Sequence, residues 1–169
     1  MKSALGAVLL VVFGGVAVAQ HQHNAPYAGL QQRGVKALSE EQVSDLRAGR
    51  GMGLSLAAEL NGYPGPFHVL ELADQLELGA DLRQKARELF EAMKAEAIPA
   101  GNALIAREAD LDRAFVERKI SGDNLSVLTA KIGEAQAQLR AIHLKYHLMM
   151  TELLSPSQRQ RYAQLRGYL

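Results

Sequence analysis

Residues 125–153, LSVLTAKIGEAQAQLRAIHLKYHLMMTEL, decide the fold. Their apolar positions are Leu125, Leu128, Ile132, Ala135, Leu139, Ile142, Tyr146, Met149 and Leu153, at alternating steps of three and four. That spacing keeps one face of an α-helix apolar through four heptads, the a/d seam through which long helices pack. No strand-like alternation of useful length occurs in the chain, so the sequence reads as all-α.

Just upstream, Ser121-Gly122-Asp123-Asn124 supplies a turn and a helix cap. Before it, Ala80 to about Ile120 carries a second stripe: Leu82, Ala86, Leu89, Met93, Ala97, Ala100, Leu104, Leu111 and Phe115. Pro99 is expected to kink this helix and not to end it, because the stripe resumes beyond it. Two long helices joined by so short a turn make an antiparallel hairpin, flanked by shorter helices.

The flanking helices announce their own starts. Leu38-Ser39-Glu40-Glu41-Gln42 and Leu154-Ser155-Pro156-Ser157-Gln158 each contain Ser-x-x-Gln, a capping box in which side chain and backbone satisfy each other. Pro156 suits the first helical position, where its missing donor does no harm. Leu38 and Leu154, just before each Ser, can staple onto the first turn. A first helix is therefore expected from Ser39 towards Leu60, weakened by Gly49, Gly51 and Gly53, and a last one from Pro156 to about Arg166. Leu78-Gly79-Ala80-Asp81-Leu82 is a degraded copy that has lost hydroxyl and amide. Asn61-Gly62-Tyr63-Pro64-Gly65-Pro66 must break the chain, and a short helix should follow from Phe67 to about Glu77.

Ahead of this domain, residues 38–169, the first 19 residues read as an export signal. Lys2 precedes an apolar run that ends Ala17-Val18-Ala19, the small-x-small pattern of a cleavage site. The run is short for a stable membrane span, so cleavage before Gln20 is expected over retention as an anchor. Residues 20–37 then form a polar leader punctuated by glycine and proline, read as flexible. Lys and Arg number 19 against 18 Asp and Glu, and losing Lys2 with the signal makes the balance neutral. Neither neutrality nor export suits a nucleic-acid partner. The chain has no cysteine, which excludes disulfides and thiolate chemistry. Aromatics make up only 5% of residues and Trp is absent, as in long helices packed through a thin seam.

With these capped starts on either side of a hairpin, the chain resembles the Spy/CpxP family of periplasmic proteins, whose Leu-Thr-x-x-Gln motifs mark helix starts. Leu154-Ser155-Pro156-Ser157-Gln158 corresponds with Ser for Thr, and Leu78-Gly79-Ala80-Asp81-Leu82 corresponds less well. The stretch from Leu60 to Leu72 looks more like the heavy-metal-resistance and metal-sensor branch. The resemblance implies a periplasmic helical hairpin, usually a homodimer, with one of three jobs. Members hold unfolded or misfolded envelope proteins without ATP, dampen a membrane sensor protein of the stress response, or bind zinc, nickel, cobalt or copper.

The residues that bear on this choice are few. His143 and His147 stand at i and i+4 beside the seam, with Met150 following, so both imidazoles project from one helix face. Such a pair chelates one divalent ion, and a thioether alongside favours copper(I); equally, the two are flanking residues of a packed helix. In the sensor branch a His and a Met four apart on the last long helix supply ligands, which this spacing matches in part. His68 and Glu71 are the nearest counterparts of that branch's remaining ligands. His21 and His23, next to the cleavage point, suit copper(II) chelation with a free amine, or are simply part of a polar tail. Met52, Leu56, Phe67 and Leu70 lie around the glycine- and proline-rich break, where they form either a client-binding surface or core. Arg33, Lys36, Arg47 and Arg50 read as a solvated basic face, or as a contact for an acidic partner or headgroups. No nucleophile elbow is present, and Gly49-Arg50-Gly51-Met52-Gly53 follows no strand, so neither catalysis nor a required cofactor is expected.

Overall fold

The computed structural model describes residues 25–169, and the expected signal segment 1–19 lies outside the described residues. The architecture is all-α. A 3-10 turn at Leu30–Gln32 precedes α1 (Glu40–Ala48), α2 (Leu56–Glu59), α3 (Pro66–Glu71), α4 (Ala80–Val116), α5 (Gly122–Leu153) and α6 (Pro156–Leu165). The hairpin of α4 and α5 is the frame, sharing the most extensive contact. Helices α1 and α3 pack on α4, while α2 lies against α5. Among the described residues, no helix is long and apolar enough to cross a membrane.

Local chemistry sets the helix starts. At Ser39 the hydroxyl accepts from the Gln42 N–H at 3.0 Å, and Gln42 Oε1 accepts from the Ser39 N–H at 2.8 Å. Ser155 and Gln158 repeat the exchange at 3.2 and 3.0 Å. Ser121 with Asn124 forms a third box at the head of α5. The degraded copy behaves as its sequence dictates, since Gly79 caps α4 with no side-chain bond. Gln158 does a further job: its amide donates to the Leu76 carbonyl at 3.3 Å, tying α6 to the connection before α4.

Three expected boundaries move. The helix expected from Ser39 to Leu60 stops at Ala48, because Gly49 takes a left-handed conformation at φ 67° and its N–H closes the helix onto Asp45 and Leu46. Only one further turn, α2, forms before the break. Helix α3 starts at Pro66, a residue earlier than expected, and ends at Glu71, short of Glu77. Helix α4 ends at Val116, four residues before Ile120. Pro99 stays inside α4 on its exposed side, costing one backbone bond without ending the helix. The stretch read as a flexible leader is tethered from residue 36, where Lys36 Nζ lies 3.1 Å from Asp112.

The seam also drifts. Ile132, Ala135 and Leu139 are buried as their spacing requires, but the buried positions then run His143, Tyr146, His147 and Met150. Met149 is 40% exposed and Leu125 38%. A straight helix has 3.6 residues per turn, so it gains about 20° per heptad on a 3.5-residue repeat. Over this length the buried stripe moves by about one residue.

Two apolar clusters result. One gathers Leu46 with Ala97, Ala100, Leu104, Ile132, Ala135 and Leu139. The other, near the open end of the hairpin, gathers Val69, Ala86, Met150, Leu154 and Tyr162 with their neighbours. The Leu of the last capping motif is thus core, and Leu38 packs partly buried on the first cluster. Gly101 lets α1 sit down on α4, since a Cβ there would fall 2.4 Å from the Leu46 carbonyl oxygen. Gly101→Ala should therefore destabilise by about 2 kcal/mol, because overpacking outweighs the roughly 1 kcal/mol of added helix propensity. A denaturant midpoint equal to or above the parent's would contradict that close approach.

Candidate functional site

Along α5 the two clusters end at Leu139 and begin again at Met150, and the turns between them carry polar side chains. His143 is 2% exposed and His147 8%, so both expected histidines face inward. Beside them is a cavity of about 550 Å³ at the level of α2 and α3. Its walls include Met52, Leu56, Phe67, Phe90 and Met93, with His68, His143 and His147 among the polar groups.

Each polar group is held by a traceable contact. The Tyr63 carbonyl lies 2.7 Å from His147 Nδ1. A carbonyl only accepts, so Nδ1 carries the proton, and in the neutral ring Nε2 keeps its lone pair. Gly65 makes room for that nitrogen, since a Cβ there would sit 2.6 Å from His147 Nε2. Burial, and then the neighbouring His147, push His143 below the ordinary imidazole value, so its ring is neutral at pH 7. Its Nε2 is buried without a hydrogen-bond partner.

Next to the histidines, Glu59 of α2 is 6% exposed. The Tyr162 hydroxyl donates to its Oε1, the Tyr168 hydroxyl donates to the same atom at 3.2 Å, and the Gly65 N–H donates to Oε2 at 3.3 Å. Arg166 Nε and His147 Nδ1 each stand 3.7 Å from one of its oxygens. Burial, and then the carboxylate of Glu59, push the Tyr162 phenol far above its usual value, so it remains a donor. One buried acid thus joins α2, α5 and α6. Immediately before His147 on α5, Tyr146 donates to Glu96 of α4 at 2.7 Å, and Lys145 reaches the same carboxylate at 2.6 Å.

The structure brings together some of the residues singled out in the sequence and separates others. His68 joins His143 and His147 in lining the cavity, and its Nδ1 lies 2.7 Å from Glu71. Met150 is fully buried in the cluster with Val69, Leu154 and Tyr162, while Met93 lines the cavity. Met52, Leu56 and Phe67 are 41%, 54% and 46% exposed, whereas Leu70 packs half-buried on the core. His21 and His23 lie outside the described residues. Among the described residues, no three His, Asp or Glu side chains converge as a metal site.

Sequence reasoning missed Glu59, Tyr162, Arg166 and Tyr168. Glu59 had one signal, a lone acid in the apolar run Leu56-Ala57-Ala58-Glu59-Leu60. Of the other three, Tyr162 sits on the polar helix α6 and Arg166 and Tyr168 follow its end, and their shared partner Glu59 is about a hundred residues away. Comparisons of the chain with protein-family models, with curated proteins and with solved structures give no match.

Proposed function

We propose that this chain is a periplasmic, ATP-independent holdase of Spy/CpxP type that shields apolar segments of unfolded or misfolded envelope proteins. The observation that carries the reading is the exposure of Met52, Leu56, Leu60, Tyr63 and Phe67 within one stretch beside the cavity. Clustered exposed apolar side chains mark interaction surfaces, and Met and Leu adapt to varied partners. Assembly as a homodimer and contact with a membrane sensor protein belong to the same reading.

Aggregation of an unrelated denatured protein tests it. Suppression is expected at near-stoichiometric ratio without ATP or metal, measured by light scattering. Leu56→Ser with Phe67→Ser should reduce suppression several-fold and leave the melting temperature nearly unchanged, because both side chains are about half exposed. Equal suppression by the double variant would remove this patch as the client surface.

A second reading, a heavy-metal sensor or buffer for zinc, nickel, cobalt or copper, is favoured by one observation. His147 Nδ1 is engaged by a backbone carbonyl, the arrangement that orients metal-ligating imidazoles and leaves Nε2 for the ion. Two imidazoles with the Met93 thioether nearby suit copper(I) better than zinc. Titration of the purified protein with each metal separates the readings: stoichiometric binding lost in His147→Ala supports the metal role, and suppression that needs metal would displace the holdase.

A further inference from the structure

We propose that the cavity beside α2 and α3 binds a medium-chain organic carboxylate, its alkyl body among Leu56, Phe67, Phe90 and Met93 and its head at Lys94. The cavity's volume of about 550 Å³ lies within the range of small-molecule sites, which are mostly apolar with a few placed polar groups. This ligand occupies the cavity that the holdase reading places beside its client surface, so the proposal deepens that reading.

The sign of the head group follows from what is already engaged. Three cationic side chains, Arg50, Lys94 and Arg166, line the cavity against one carboxylate, Glu59. Both oxygens of Glu59 accept protein donors, Oε1 from Tyr162 and Tyr168 and Oε2 from the Gly65 N–H. A cationic ligand would therefore meet a carboxylate that is 6% exposed and already shared among three protein donors. Arg50 is paired with Asp45, and Arg166 stands 3.7 Å from Glu59. Lys94 makes no ion pair among the described residues. Its ammonium lies 5.5 Å from the centroid of the Phe90 ring, at the junction of charged and apolar wall. An amphiphile with an anionic end meets both requirements, whereas a fully polar anion would leave the apolar wall unused.

Calorimetric titration of the full purified protein with decanoate, decanol and decyltrimethylammonium, each below its micelle concentration, tests the proposal. Decanoate is expected to bind one per chain, decanol about tenfold more weakly, and the ammonium amphiphile without measurable heat. Lys94→Gln should weaken decanoate about tenfold and leave decanol unchanged. Lys85→Gln, exposed on the same helix and away from the cavity, should change neither. Circular dichroism establishes that both variants keep the parent's helicity. Equal affinity for decanoate and decanol, an unaffected decanoate affinity in Lys94→Gln, or no binding heat would each overturn the proposal. Client suppression is measured on the same preparations. Suppression without decanoate binding removes the ligand alone, and decanoate binding without suppression removes the holdase and keeps the ligand.

Discussion

Leu139→Asp is expected to lower the melting temperature by 10 °C or more and to reduce helicity at room temperature. Leu139 is 2% exposed in the cluster formed with Leu46, Ala97, Ala100, Ile132 and Ala135. Truncating a buried leucine costs about 2–5 kcal/mol, and an unpaired carboxylate there adds several more. A domain of this size holds roughly 5–15 kcal/mol in total, so the variant stands near the unfolding threshold. Thermal melts followed by circular dichroism give the answer, with Leu148→Asp as control. Leu148 lies on the same helix but is 52% exposed, and its replacement should stay within about 0.5 kcal/mol of the parent. Equal melts for the two variants would mean that α4 and α5 do not meet through Leu139.

Three turns beyond Leu139, Met149 and Met150 mark what periodicity could and could not tell. An unbroken 3-4 repeat puts Met149 in the seam, whereas the folded helix buries Met150 completely. Over Ile132, Ala135 and Leu139 the heptad and the real helix agree, because the drift there is small. By residue 143 the two have separated by one position, which turns both histidines inward. The caps were legible because they are local: Ser39 and Ser155 find their partners three residues away. The end of α1 was written in Gly49 but had to compete with an apolar pattern continuing to Leu60, and the left-handed glycine prevailed. Half of the candidate site was visible as His143 and His147. The other half was not, because no local rule says that an acid at position 59 will meet a phenol at position 162. That pairing depends on where α6 lands, and α6 is placed by Leu154, Gln158 and Tyr162 together.

Tyr162→Phe should cost about 3 kcal/mol and lower the melting temperature by roughly 6–10 °C, although it removes a single oxygen. Tyr162 is 1% exposed, so its ring keeps its packing in the variant and only the hydroxyl is lost. What is left behind decides the magnitude. Glu59 Oε1 would retain Tyr168 at 3.2 Å and Arg166 Nε at 3.7 Å, both weaker than the donor removed. A buried carboxylate short of donors is penalised more heavily than a neutral acceptor, so Glu59→Gln should blunt the effect. The double variant, Glu59→Gln with Tyr162→Phe, is expected to lose less than the sum of the single losses, by about 1–2 kcal/mol of coupling. Strict additivity would mean that the hydroxyl and the carboxylate do not act on one another. The consequence reaches function through α2. Glu59 ends the short helix that begins at Leu56, and its bonds to α6 hold that turn against the hairpin. If Tyr162→Phe melted with the parent, α6 would not brace α2, and the exposed stretch from Met52 to Phe67 would owe its placement to α4 and α5.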